Sequence, residues 1–407
     1  MSLVSASAVD DLRTTAEIRS RAEYLLARAR GDESEWFTVV DDALPGAAAT
    51  VADLTATRFP DLVIPFHSRW RHFEAGGVDR TADLDLSGLD AAERARTWID
   101  LAVVSVLLDA GSGPDWRYRE TGTSLDFTRS EGLGVASWHA FTTGVFSSDP
   151  DQPLRVDADG LIDLDADRLA HAFQVGPGNP LVGFEGRVAL LRRLGSALAD
   201  RRDVFGSSAR PGGMYDALVT RTGATSVQAH DILSALLSTL SGIWLADNGI
   251  DGQPLGDCWR HDAVPGRGAT RGWMPFHKLS QWLTYSLLEP FHWAGVDVQG
   301  LDALTGLPEY RNGGLLLDSG VLRLRNQGWA GRSWTPADEL VVEWRALTVA
   351  LLDELAVLVR DRLGVDAEAM PLACVLEGGT WAAGRLLAQR ARGGVPPLTV
   401  VSDGTVF

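Results

Sequence analysis

The sequence predicts a mainly α-helical protein with few short strands, and three observations carry that expectation. Apolar residues recur at helical spacing through several long segments, which are bounded by capping residues and glycine stops. Alternating runs of strand length are scarce. The composition, 45% apolar and 22% charged over 407 residues, is that of an ordinary soluble globular chain.

Taken in order, residues 9–30 read as a helix stopped by Gly31. Asp90 caps a second helix, with Glu93 reaching back from the third position, and the run WIDLAVVSVLLDA carries it to Gly111. A third is expected from Asn179, with Pro180 at the first helical position, through FEGRVALLRRLGSALAD. Others cover residues 227–245, 277–293 and Glu339–Leu363, the last ended by Gly364. Pro290 should kink or end the fifth, because proline lacks the N–H and its ring crowds the preceding turn. The best strand is PLTVV at residues 397–401, which needs a partner to persist.

The chain is long for one hydrophobic core, so two helical lobes are expected, residues 1–206 and 207–407, joined near the Pro- and Gly-containing stretch at 207–213. A net charge of −17 argues against a nucleic-acid polymer as partner, since neutralising phosphates takes a basic face. Two cysteines, Cys258 and Cys374, are too few for a disulfide framework or a thiolate zinc cage. The N-terminus lacks a signal-peptide pattern, and no apolar run reaches spanning length. A cytoplasmic protein with no membrane partner is the expectation.

Chemistry concentrates between residues 275 and 322. There Lys278, Gln281 and Tyr285 lie on an apolar helical segment, followed by a Gly- and Pro-punctuated turn with Glu309, Tyr310, Arg311 and Asn312. Charged and amide groups in so apolar a stretch are costly to bury unless paired or used. Two further loops, 61–80 and 111–134, are dense in arginine and aromatics, with Glu74 and Glu131 among them. They supply Arg69, Trp70, Arg71, His72, Trp116 and Arg117 as candidate ligand contacts, because arginine grips planar anions and stacks on rings. The ordinary reading of the Trp-Arg pairs, which recur at 259–260 and 344–345, is a helical core with arginine reaching past it. Trp344-Arg345, mid-helix, fits that reading best.

Asp257, Glu377 and Asp403 complete the acidic candidates. The scattered histidines (His67, His72, His261, His277, His292) show no metal-ligand spacing. No nucleophile elbow surrounds Ser137 or Ser280, and the GSG at 111–113 lacks the phosphate-loop lysine. No metal or cofactor is therefore expected.

The segments PFHSRWRHFE, SVLLDAGSGPDWRYRE, NPLVGFEGR, FHKLSQWLTYSLLEP, LPEYRNGGLLLD, VVEWRALTVALLD and VLEGGTWAAGR, with the terminal SDGTVF, resemble the uracil-catabolism protein four family, formerly a domain of unknown function. The likeness runs from about Asp61 to Phe407. A more distant one, by segment order, is to the queuosine salvage proteins, helical ribosyl N-glycosidases related in fold to DNA glycosylases. Lys278 and Gln281 fall on their KxAQ helix, Glu309 falls at their catalytic Asp, and Glu343 and Arg345 match a third helix. Glu for Asp, and Asn312-Gly313-Gly314 for a Pro- and Gln-containing segment, depart from that pattern.

The family resemblance implies a role in degrading uracil through its nucleotide with release of urea. Together the two resemblances imply an N-ribosidase acting on a ribosylurea, with or without a 5-phosphate. In that reading Glu309 stabilises an oxocarbenium-like transition state and Lys278 fixes Glu309 as a carboxylate. Arg311, Asn312, Tyr310 and Gln281 position the small-molecule substrate, Arg69, Arg71 and Arg117 clamp its phosphate, and Asp257 and Asp403 assist. The alternatives are an amidohydrolase attacking the ureido carbonyl and a non-enzymatic nucleotide sensor.

Overall fold

Apolar periodicity closes into helices along the whole chain in the computed structural model, which describes residues 3–401 other than residue 247. Strands are subordinate. Among the described residues each is two or three residues long and sits in a two-stranded ribbon. The protein is mainly α-helical, as its patterning requires. No helix among the described residues is long and apolar enough to cross a membrane.

Several helix ends follow their local chemistry. Asp90 accepts from the Glu93 backbone N–H at 2.7 Å and opens Ala91–Leu107. Glu339–Leu363 ends where Gly364 turns left-handed, at φ 70°. The first helix is instead two, Leu3–Leu12 and Thr15–Arg30. Thr14 caps the second by accepting from Glu17 N–H at 3.2 Å, and a cap residue in extended geometry cannot continue the helix before it.

The third helix starts late, at Phe184. Asn179 does not cap it, because its amide is used elsewhere: the oxygen accepts from Arg117 N–H and the nitrogen donates to the carbonyls of Arg117 and Gln174. Pro290 does not end its helix, which runs from Lys278 to Trp293. The carbonyl one turn before it, Ser286, accepts from the Trp70 indole N–H at 2.8 Å, so the acceptor that proline leaves open is used. Leu44–Arg58 and Arg129–Thr142 are helices that periodicity did not single out. The second carries two glycines, which weaken its helical signal. The expected tail strand is realised as Thr399–Val400, paired in parallel with Ser333–Trp334.

The chain folds into two units that interleave along the sequence. One comprises residues 3–67, Asn248–Gln281 and Gly300–Val401; the other comprises 68–246 and Trp282–Gln299. A cut between residues 206 and 207 falls inside the second unit.

In the first unit, Glu339–Leu363 is the central helix, packed against Thr15–Arg30 and Leu44–Arg58. It buries Leu340, Val342, Leu347, Leu351 and Leu355 completely. In the second, Ala91–Leu107 packs on Arg129–Thr142 and Phe184–Asp200. Arg187 donates to the carbonyls of Leu108, Ala110 and Gly111, satisfying acceptors at the end of Ala91–Leu107. That bond set accounts for the arginine of NPLVGFEGR.

The Tyr310–Asp318 helix is held by close approaches that only glycine permits. A Cβ at Gly313 would sit 2.6 Å from the Trp344 ring, and one at Gly384, on the Trp381–Arg392 helix, would sit 2.1 Å from the Arg311 carbonyl oxygen. In an exposed helix interior, Gly→Ala stabilises by up to about 1 kcal/mol. Here the sign reverses. Gly384→Ala is expected to destabilise by roughly 1–3 kcal/mol through overpacking, read as a lowered Tm in a thermal melt. An unchanged or raised Tm would show that the two helices do not meet this closely.

Candidate active site

Glu309 ends an extended segment and caps the Tyr310–Asp318 helix. Each carboxylate oxygen accepts one backbone N–H, from Arg311 and from Asn312, both at 2.6 Å. Two short charge-assisted bonds to orphan donors at a helix start hold the carboxylate in one orientation. The residue is half-buried, with its carboxyl group enclosed by protein. Burial pushes its pKa above the ordinary glutamate value, against the two N–H donors, the Lys278 ammonium and the Arg311 guanidinium, which pull it down.

Lys278 begins the helix whose backbone is anchored by Asp257, which accepts the Lys278 N–H at 2.8 Å. Asp257 is buried and pairs in two-point fashion with Arg345, both contacts at 2.8 Å, while accepting from the Trp259 indole at 2.7 Å. Burial would raise its pKa. Arg345, the Lys278 N–H and Trp259 outweigh that and hold the carboxyl below its usual range. Arg345 also donates to the Pro308 carbonyl at 3.3 Å and lies 4.0 Å over the Phe276 ring. One buried ion pair therefore fixes both the start of the Lys278 helix and the residue preceding Glu309.

Gln281 has a comparable task. Its oxygen accepts from Thr305 N–H at 2.8 Å, and its nitrogen donates to Thr305 Oγ1 at 2.5 Å and the Phe276 carbonyl at 3.2 Å. Its hydrogen bonds go to the loop that leads toward Glu309. Asn312 donates through Nδ2 to the Leu307 carbonyl at 3.0 Å, the same oxygen that accepts Glu309 N–H. This bond sets the amide so that Oδ1 is buried without a donor among the described residues. Arg311 lies over the rings of Tyr310 at 4.9 Å and Trp381 at 5.9 Å. Among the described residues, its Nε and Nη1 are buried without an acceptor. Chemically, the site offers a restrained carboxylate beside two cations, with an unmet acceptor and unmet donors on its first helical turn.

A family model described as "Protein of unknown function (DUF1688)" matches residues 11–407. The chain belongs to this family. Two relatives agree over most of their length. The chain is 38% identical to "Protein urg3" of Schizosaccharomyces pombe, covering 99% of this chain and 100% of that protein. It is 39% identical to "Uracil catabolism protein 4" of Lachancea kluyveri, over 84% and 85% respectively.

The structure of this DUF1688 member brings Glu309, Lys278, Tyr310, Arg311, Asn312, Gln281 and Asp257 into one unit. Arg69, Trp70, Arg71, His72, Trp116 and Arg117 belong to the other, and each has partners there. Arg69 is buried against Asp109 at 2.7 Å and donates to Ser105 Oγ, to the Ser130 carbonyl and toward His72 Nδ1. Burial lowers its pKa and Asp109 opposes the shift. Arg71 pairs with Glu289 at 2.9 Å. Trp70 packs edge-on with Phe73, Trp98 and Trp293. Trp116 is fully buried and donates to the Phe173 carbonyl at 3.0 Å. Arg117 is exposed, and its backbone is what the structure uses, held on both sides by Asn179. Asp403 lies outside the described residues.

Trp381 escaped the sequence reading as a site residue, although it stands in the motif VLEGGTWAAGR. A π-helical turn at Leu376–Thr380 precedes its helix, and such turns gather at functional positions. Glu343 proves structural: it accepts from Ser34 Oγ and pairs with His261 Nε2 at 3.0 Å. His277 donates to the Leu12 carbonyl at 2.9 Å, and burial lowers its pKa, leaving it neutral. Among the described residues, no group of three or more His, Cys, Asp or Glu is placed to hold a metal.

Proposed function

We propose that this protein acts in uracil breakdown as an N-ribosidase, hydrolysing the bond between ribose and a ureido nitrogen and releasing urea. The pathway rests on the relative named for uracil catabolism. The reaction rests on one observation, the Glu309 carboxylate held by two backbone N–H groups with a lysine ammonium beside it. As the C1–N bond breaks, positive charge develops on the sugar, and a fixed carboxylate stabilises it without reorganising. Water forms the new C1–O bond, Glu309 takes its proton, and the departing ureido nitrogen gains one, so that the products are ribose (or its phosphate) and intact urea. Asn312 Oδ1 accepts a ribose hydroxyl or a ureido N–H, and Lys278 keeps Glu309 ionised.

The deciding test is a product assay. Purified protein is given ribosylurea and ribosylurea 5-phosphate, and urea and ammonia are quantified separately. Intact urea without ammonia is the expected result. Ammonia without urea would transfer the reaction to the ureido carbonyl and overturn the N-ribosidase reading.

A further inference from the structure

We propose that Arg311 is the seat of an oxyanion at the Glu309 site, so that the physiological ligand carries an acidic oxygen group. The inference takes Glu309 as the marker of the active site, as above, but does not depend on which bond is cleaved. Arginine stays charged at any physiological pH, and a buried guanidinium is costly unless its donors are met. Three other buried arginines of this protein follow that rule. Arg21 reaches the Thr270 and Trp273 carbonyls, Arg80 pairs with Glu120, and Arg345 pairs with Asp257.

Arg311 does not follow it. It is 2% exposed, and Nε and Nη1 have no acceptor among the described residues. The rings of Tyr310 and Trp381 support it at 4.9 and 5.9 Å. Stacking of that kind offsets part of the burial cost and provides no oxygen for the N–H groups. A planar donor set held by rings, one residue from an acceptor with no donor, suits a ligand bearing anionic oxygens together with an O–H or N–H. A phosphorylated sugar has both. The arginines of the Trp-Arg-rich loop are less suited, since Arg69 and Arg71 already face Asp109 and Glu289.

The test uses the full chain. Binding of ribosylurea and of ribosylurea 5-phosphate is measured by calorimetry on Glu309→Gln, which keeps the site while blocking turnover. The same measurement is made with Arg311→Met and Arg311→Lys added, and with Arg71→Met added as a control. Inorganic phosphate is titrated in each background, with thermal melts reporting folding. The phosphorylated compound should bind at least about thirtyfold more tightly with Arg311 present, and that preference should fall below about threefold in Arg311→Met. Arg311→Lys should retain part of it and Arg71→Met all of it.

Competition between inorganic phosphate and the phosphorylated compound would make the substrate's own phosphate the occupant. Arg311-dependent phosphate binding without competition, and with equal affinity for the two ribosyl compounds, would make it a separate anion in the same seat. A preference that survives Arg311→Met, or the absence of any phosphate binding in the Arg311 background, would overturn the seat. If wild type releases no urea while Arg311-dependent anion binding persists, the proposed reaction fails and the seat stands. If urea is released with no anion dependence on Arg311, the seat fails and the reaction stands.

Discussion

Glu309→Gln should release urea about a thousandfold more slowly than wild type while melting within a few degrees of it. On the proposed reaction the rate loss follows from removing a negative group restrained where sugar cation character would develop, and losses of this order accompany removal of single preorganised electrostatic groups. Two opposing effects keep the fold intact. Glutamine accepts at only one end, so an Arg311 or Asn312 N–H loses its partner, a capping loss of about 1 kcal/mol. Against that, glutamine carries no charge to desolvate, and desolvation is the main cause raising the Glu309 pKa. A variant that unfolds, or one that keeps its urea release, would remove Glu309 from the centre of the chemistry.

The pH dependence has a definite sign. A carboxyl with a raised folded pKa contributes stability that is present below its unfolded value, about 4.3, and is lost as pH rises through the folded value. The proposed reaction needs the carboxylate, so kcat/KM should rise with pH through that same folded pKa, above the ordinary glutamate range. Lys278 pulls this pKa down. Lys278→Met should therefore displace the acid limb to higher pH in addition to lowering the rate. A pH–rate profile that keeps its acid limb in the lysine variant would separate Lys278 from Glu309.

Periodicity and caps made the helical class legible, since Asp90, Gly364 and the Glu339–Leu363 run each carry their signal locally. Asn179-Pro180 misled because a start signal describes what a side chain can do, and this amide was drawn into a bridge to Arg117 far along the chain. The site divides in the same way. Glu309, Arg311 and Asn312 are adjacent in sequence, so their polar crowding beside apolar runs marked them. Trp381 and the close approach at Gly384 depend on a helix some seventy residues later packing back, which no local pattern records. Arginine-rich loops attracted a ligand reading because ligand grip and internal neutralisation use the same fork. Only the location of Asp109 and Glu289 distinguishes them.

Asp257→Asn should cost the most stability of any single change at the site, roughly 3–5 kcal/mol, because it leaves Arg345 buried with half its partner removed. For a unit of this size that is a fall in Tm on the order of 10 °C. Asp257 has a folded pKa below its unfolded one, so its contribution is present above about pH 4 and is lost as pH falls through the folded value. Wild type should consequently lose stability in acid over a window in which Asp257→Asn changes little, and the two denaturant midpoints should converge as pH drops. Destabilisation alone does not show positioning. Asp257 anchors the Lys278 N–H while Arg345 holds the Pro308 carbonyl, so the pair sets the distance across which Lys278 lowers the Glu309 pKa. The acid limb of kcat/KM should move upward in Asp257→Asn, measured where the variant is still folded, in the same direction as in Lys278→Met. A variant that loses stability and keeps the wild-type limb would make the ion pair a support of the fold that leaves the Lys278–Glu309 distance unchanged.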